Sequence, residues 1–367
     1  MKPKLRFKEF NDDWTEYEQS DILSENNIPI EKPKEEYWRL GIRSHYKGTF
    51  YELADPEKNS MDKLFIVKPN NLIINITFAW EQAYAITTDE DNNKIVSHRF
   101  PMYSFKDGFS HKFYKYRIDN KKYKYELGLA SPGGAGRNRV LNKSSFLKIK
   151  QYIPSIKEQN KISDFFELFD KRISLQLNKI EKLKQFKKGL SNNVFSKIKI
   201  VDEVKLGDIC NITTGKLDAN AMVENGPYRF YTCARDYYYI DKYAFDTEAL
   251  LISGNGAYVG YIHYYKGKFN AYQRTYVLDN FSANIQYIKV FLDEFLHKRI
   301  NFEKKEGNTP YIVLSTLSDM NIKLINQSDE SLVINLFNSI NKKIELEEKR
   351  LEELTKLKKG LIQKMFV

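Results

Sequence analysis

The sequence predicts an α+β protein: two β-rich domains and two long helices that pair with each other, laid out as an internal repeat. Three observations carry this. Residues 181–195, EKLKQFKKGLSNNVF, return as residues 352–366, EELTKLKKGLIQKMF. In both stretches the apolar residues follow a helical period rather than strict alternation. The regions between them are short runs of β-branched and aromatic residues cut by Gly and Asn, which read as strands and turns.

An internal repeat sets the frame for every other element. Sliding the chain by 171 positions lays 154–195 on 325–366 without a gap. Identities include Phe166/Phe337, Lys171/Lys342, Ile173/Ile344, Leu175/Leu346, Glu181/Glu352 and Leu183/Leu354. Lys187-Lys188-Gly189-Leu190 then falls on Lys358-Lys359-Gly360-Leu361. The first seam is Ile162, Phe166, Phe169, Ile173, Ile180, Leu183, Leu190 and Val194, rising by alternating threes and fours with Gln176 and Lys187 at two skipped positions. The second is Val333, Phe337, Ile340, Ile344, Leu351, Leu354, Leu361 and Met365, with Glu347 and Lys358 at the matching skips. These are the a and d positions of a heptad. A polar residue in such a seam costs stability but fixes register. Two helices packed separately, each on its own domain, are the alternative; matching breaks favour pairing. About 35 helical residues span on the order of 50 Å, a spacer rather than a globular core.

The expected order is a first β-rich domain over 1–153, a helix over 154–196, a second β-rich domain over 197–324 and a second helix over 325–367. The domains repeat faintly. GAGRNRVLNKSSFLKIKQYIP (134–154) lies on KEGNTPYIVLSTLSDMNIKLI (305–325), NNLIINITFAWEQAYA (70–85) resembles EALLISGNGAYVGYI (248–262), and VSHRFPMYSF (96–105) resembles AYQRTYVLDN (271–280). Asp21-Ile22 and Asp208-Ile209 open the two regions alike at an offset of 187, which makes the first 16 residues longer. The one long helix expected inside a domain lies around 285–305. Two halves of one design imply a pseudo-two-fold axis, and duplex DNA is a partner with matching symmetry.

Composition narrows the function. The chain has 367 residues, 42% hydrophobic and 14% aromatic, with a net charge of +11. That is a folded protein of two or three units with an acidic partner, nucleic acid first; a composition bias toward Lys, Asn, Ile, Tyr and Phe is the bland alternative. Cys210 and Cys233 have no C-x-x-C spacing, so neither a disulfide framework nor a thiolate zinc site is expected. MKPKLRFKEF lacks an apolar h-region, and no apolar run approaches the roughly 18 residues of a membrane span. A cytosolic, cytoplasmic protein without a membrane partner is expected.

Catalytic equipment is missing from the pattern. SPGGAGRNR (131–139) lacks phosphate-loop spacing, and the glycines of SGNGAYVG (253–260) miss a dinucleotide fingerprint. His45, His98, His111, His263 and His297 are scattered, which speaks against a metal site. Asn308-Thr309-Pro310-Tyr311 resembles the base-gripping site of adenine methyltransferases, but Thr replaces the first Pro and no methyl-donor loop precedes it. It reads as a turn before a strand.

PKLRFKEFNDDW (3–14), SPGGAGRNRVL…IPSIKEQNKISDFF (131–166) and the two Lys-Lys-Gly-Leu endings, in this order and duplicated, resemble the specificity (S) subunit of type I restriction–modification enzymes over nearly the whole chain. The second copy departs from the pattern. Pro154…Glu158-Gln159 becomes Ile325…Asp329-Glu330, so the start of the second helix is open. The resemblance implies two target-recognition domains separated by an antiparallel coiled coil. Each domain would read one half of a bipartite site in double-stranded DNA. The helices would set the gap and dock two methylation (M) subunits, with restriction (R) subunits joining through them. It also implies a non-catalytic chain without cofactors, with AdoMet, ATP and Mg²⁺ in the partner subunits. A coiled-coil scaffold, or the DNA-reading subunit of another defence complex, is the alternative.

Base readout needs Arg, Lys, Asn or Gln at groove edges. Candidates in the first domain are Arg43, Ser44, His45, Lys47, Arg99, Arg137, Asn138 and Arg139. Those in the second are Arg235, Tyr237, Gln273, Arg274 and Asn308. Arg137 and Arg139 stand out because a polar run after Gly-Gly-Ala-Gly suits an exposed tip. Arg137→Ala is expected to weaken binding to cognate DNA at fixed salt; unchanged binding would put that loop off the DNA.

Overall fold

The computed structural model describes residues 2–58, 61, 63–133, 139–303 and 311–366. Two compact units emerge. The first comprises Met1–Leu177 and Arg350–Val367, the second Asn178–Lys349. Each takes the beginning of one long helix together with the end of the other.

In chain order the first unit runs β1 (Thr15–Glu18), α1 (Gln19–Ile22), β2 (Leu23–Glu25), β3 (Ile28–Ile30), β4 (Tyr37–Ile42), β5 (Thr49–Ala54), β6 (Leu64–Ile66), β7 (Leu72–Ile74), β8 (Tyr84–Ile86), β9 (Ile95–Ser97), β10 (Met102–Phe105), α2 (His111–Arg117), α3 (Lys121–Leu129), α4 (Lys143–Leu147) and β11 (Lys150–Ile153). The first long helix follows as α5 (Ile156–Lys197). The second unit runs β12 (Ile200–Lys205), α6 (Leu206–Ile209), β13 (Asn211–Thr214), β14 (Tyr228–Tyr231), β15 (Tyr238–Ile240), β16 (Phe245–Ser253), β17 (Ile262–Ala271), β18 (Thr275–Asp279), α7 (Ile285–Glu303), α8 (Leu314–Ser318) and β19 (Asn321–Ile325), before the second long helix α9 (Gln327–Met365).

The two units share one topology. β1 pairs antiparallel with β11, and β12 with β19. The sheet order β2-β10-β7-β8 matches β13-β18-β16-β17. Beyond it, β6-β9-β4-β5 matches the other halves of β16 and β17 followed by β14 and β15. The parallel pairs agree as well, with Arg39 opposite Ile95 and Arg229 opposite Phe269. In the second unit β16 and β17 are unbroken strands of 9 and 10 residues. In the first, each is split in two. Pro69 offers no N–H to a ladder and Asn70 is left-handed at φ 63°, so the strand stops between β6 and β7. Buried Asn71 and Thr87 satisfy the Lys68 and Pro69 carbonyls at the break.

The helix expected around 285–305 is α7. Its counterpart in the first unit is two short helices that the strand-like reading of that region missed. Ser110 and Asn120 cap α2 and α3 by accepting from the Phe113 and Tyr123 N–H groups.

Helix pairing is visible inside each unit. In the first, Phe166 on α5 stacks on Phe366 just beyond the end of α9, centroids 6.0 Å apart, while Asp170 pairs with Lys358. In the second, Phe195 at the end of α5 lies 5.8 Å from Phe337 near the start of α9. Rising numbers on one helix meet falling numbers on the other, so the pairing is antiparallel. The two contacts are images of each other under the 171-residue repeat. Of the seam residues, Ile162, Phe166, Ile180, Val333, Phe337 and Ile344 are buried, and Phe169, Ile173, Leu183, Ile340, Leu351 and Leu354 are half-buried.

Three of the four seam breaks, Lys187, Glu347 and Lys358, are occupied by ion pairs. Lys179 pairs with buried Glu347 at 2.8 Å, and Lys187 with Glu294 of α7 at 2.6 Å. Burial pushes the Asp170 carboxyl up, but hydrogen bonds from Lys358, Tyr116 and Lys115 outweigh it and hold the group below the usual carboxylate range. A depressed carboxyl contributes stability at neutral pH that is lost as pH falls through its folded value.

The helix starts explain the departure of the second copy. In the first, Glu158 takes a two-pronged contact from Arg6 at 2.7 Å and a bond from the Trp14 indole N–H, while Gln159 bonds the Ser110 N–H and the Pro154 and Gly108 carbonyls. Residues 2–14 thus pack on the start of α5, and the Leu5 N–H also reaches the Lys364 carbonyl. In the second unit α5 itself leads into β12, so Asp329 and Glu330 meet other partners. Asn326 caps α9 through the Asp329 N–H at 2.9 Å, and Glu330 accepts from Asn284. The helix begins at Gln327 without the Pro and Gln of the first copy.

Phe166→Ala and Phe337→Ala should each lower the unfolding free energy by about 3–5 kcal/mol in denaturant titrations. A loss below about 1 kcal/mol would remove the seam from its stabilising role.

Candidate nucleic-acid interface

The expected DNA contacts came from stretches far apart in sequence, and in each unit the chain brings the described ones to the same end of the sheet. In the first unit the β4–β5 loop meets the β7–β8 connection: His45 N–H reaches the Glu81 carbonyl at 2.7 Å, and the Ser44 hydroxyl reaches the Glu81 carboxylate at 3.0 Å. The β9–β10 turn joins them through Ile76 N–H to the Arg99 carbonyl, and the segment after the Gly-rich stretch joins through Leu141 N–H to the Ile76 carbonyl at 2.8 Å. In the second unit the β14–β15 loop meets the β17–β18 turn where the Cys233 thiol contacts the Arg274 carbonyl. Gly254 N–H binds that same carbonyl, and Ile312 N–H binds the Gly254 carbonyl at 2.8 Å. Leu141 and Ile312 are repeat mates doing the same job. A Cβ on Gly254 would sit 2.5 Å from the Arg274 carbonyl oxygen, so the close approach of the two loops requires glycine. SGNGAYVG is therefore the connection of an antiparallel pair of strands, not the strand-to-helix turn of a dinucleotide site.

The individual candidates are held differently. Arg43 is exposed, lies over the Phe50 ring at 5.0 Å and donates to the Thr49 carbonyl. His45 is exposed with left-handed backbone at φ 63°, which turns the loop outward. Lys47, Arg99 and Arg274 are exposed, and among the described residues no side-chain partner engages them. Arg139 is half-buried. It donates to the Gly128 carbonyl at 2.6 Å and the Ser131 carbonyl at 3.1 Å and lies 5.2 Å from the Trp80 ring centroid. Arg235 faces Glu348 at 3.6 Å, and Gln273 donates to Asp218. Tyr237 stands exposed under the Arg229 guanidinium. Arg137, Asn138 and Asn308 lie outside the described residues. No group of three or more acidic, His or Cys side chains fit for a metal occurs among the described residues.

Sequence reading missed a second set of side chains, on the outer flanks of the long helices. Phe186 and Leu357 are repeat mates at 60% and 53% exposure, and Leu175 and Leu346 are repeat mates at 61% and 50%. In heptad terms they hold g and c, adjacent positions outside the seam. Gly189 and Gly360 share that flank three residues beyond the aromatic or leucine, and a Cβ at either would meet nothing within 4 Å. A helix-interior glycine costs about 1 kcal/mol relative to alanine, and packing among the described residues gives no reason for either. The signal was in the repeat: apolar identity and glycine at equivalent positions where a heptad asks for neither.

Residues 199–356 match the family described as type I restriction modification DNA specificity domain. Over 160 residues the chain is 35% identical to the type I restriction enzyme EcoDI specificity subunit of Escherichia coli, covering 44% of this chain and 35% of that protein, so the match spans about a third of that relative's length. The fold resembles the type I restriction-modification system S subunit from M. genitalium, with a TM-score of 0.65 at 17% identity, covering 100% of this chain and 99% of that one. A chain from a solved structure of complex assembly and conformational transition of the type I R-M system matches at TM-score 0.57 and 14% identity over 98% of both chains. These structural likenesses concern the fold.

Arg99→Ala should leave stability within about 0.5 kcal/mol and lower DNA affinity, whereas Arg139→Ala should cost about 1–3 kcal/mol of stability. Equal melting of the two variants would contradict the division of roles.

Proposed function

We propose that this chain, whose residues 199–356 carry a type I restriction modification DNA specificity domain, is the DNA-reading specificity subunit of a type I restriction–modification complex. Each β-rich unit reads one half of a bipartite site in duplex DNA in the cytoplasm. The paired helices set the spacing and dock two methylation subunits, through which restriction subunits join. Chemistry, with its AdoMet, ATP and Mg²⁺, resides in those partners, and this chain is not itself an enzyme.

The observation that carries the reading is the convergence of equivalent loops at equivalent strand ends in two units of one topology. Arg99 and Arg274, exposed at matching turns and without a carboxylate partner among the described residues, suit phosphate backbones. The net charge of +11 suits a polyanion whose binding weakens with salt. Methylated-base mapping in cells carrying this chain with its methylation subunit tests it. A two-part site with an unread gap is expected; methylation without sequence preference would overturn it.

The flank carrying Phe186 and Gly189, and its repeat mate carrying Leu357 and Gly360, suit docking of one partner present in two copies. Exposed apolar side chains supply the buried surface and glycine admits close backbone approach. Phe186→Asp or Leu357→Asp should each release one of two methylation subunits, measured as the mass of the purified complex, with helix content unchanged. A complex of full mass from the double variant would put the docking surface elsewhere.

A further inference from the structure

Arg229 lies on β14, opposite Phe269 of β17 and opposite Tyr239 of β15. Its guanidinium carbon stands 4.3 Å from the Tyr237 ring centroid and 4.5 Å from that of Tyr265, and it donates to the Tyr231 hydroxyl at 3.3 Å. No carboxylate pairs with it among the described residues. Arginine on the matching strand of the first unit is held otherwise: Arg39 of β4 forms an ion pair with Glu52, the residue opposite it on β5. The residue opposite Arg229 on β15 is Tyr239, which carries no such carboxylate.

The positive charge of Arg229 is therefore left unneutralised while the side chain is held by aromatic rings. Holding a guanidinium between rings removes its rotational freedom in advance, which favours a directional, two-pronged contact over a diffuse one. Tyr237 belongs to the β14–β15 loop, one of the loops that converge with the Arg274 turn. A phosphate asks only for charge, which exposed Lys268 over the Tyr243 ring or exposed Arg274 supplies. A fixed fork matches the O6 and N7 acceptors of guanine in the major groove.

We propose that Arg229, clamped between Tyr237 and Tyr265, reads a guanine in the second half-site and makes that base a specificity determinant. This rests on the DNA-recognition reading above. The test uses the full chain assembled with its methylation subunits. Affinity at fixed salt is measured for duplexes in which each base pair of the second half-site is varied in turn, for wild type, Arg229→Lys and Arg229→Ala. Failure of the wild-type complex to prefer any sequence sinks the functional reading itself, separately from Arg229. With preference established, Arg229→Ala and Arg229→Lys should lose discrimination at one G·C pair by roughly 10- to 100-fold, leaving the other positions intact. Equal weakening on every duplex would make Arg229 a phosphate contact and overturn the assignment. So would unaltered discrimination, or a second half-site without a G·C pair. Tyr237→Phe keeps the ring and should keep discrimination, which separates the clamp from a direct hydroxyl contact; loss of discrimination in that variant counts against the clamp.

Discussion

The burial of one apolar stripe on each long helix is the constraint on which this protein depends. Phe166 against Phe366 and Phe195 against Phe337 are the same contact made twice, once in each unit. Buried phenylalanines of this kind carry several kcal/mol apiece, a large share of the net stability of any domain. These rings also belong to the domain cores, where Phe166 packs with Tyr116 and Phe195 with Phe291. The helices are thus built into the β-rich units rather than attached to them.

Charge at the seam complements this. A hydrophobic stripe alone leaves axial slippage cheap, whereas a buried charge tolerates only its partner. Lys358 finds Asp170 and Lys187 finds Glu294, so the two equivalent lysines are each satisfied in their own unit by different carboxylates. The repeat preserves the need and leaves each half free to meet it locally. The N-terminal segment shows the same freedom, with Arg6 and Trp14 engaging Glu158 where the second unit, fed directly by α5, uses an Asn326 cap instead.

Above that shared frame the two units diverge where partners would be read. On the matching strands, Arg39 of β4 is neutralised by Glu52 in one unit, and Arg229 of β14 lies between tyrosines in the other. Split strands and two short helices in the first unit replace continuous strands and one long helix in the second. Variation is cheap at loops and strand ends, where backbone groups can meet water, and costly in a packed seam.

The sequence by itself determined the duplication, both long helices with their seams, the β-rich character of the rest and the helix at α7, because periodicity and repetition are one-dimensional properties that burial imprints directly on residue order. It also named residues of the converging loops, since Arg, His and Gln beside turn formers are readable locally. Only the tertiary structure decided what those residues do. Arg139 looks as free as Arg99 in sequence, yet carbonyls of Gly128 and Ser131 engage it. Arg229 looks like any strand arginine until β15 and β17 bring Tyr237 and Tyr265 to it. Neutralisation, stacking and exposure depend on neighbours distant in sequence, and pairing between strands of unmarked register leaves no period to read.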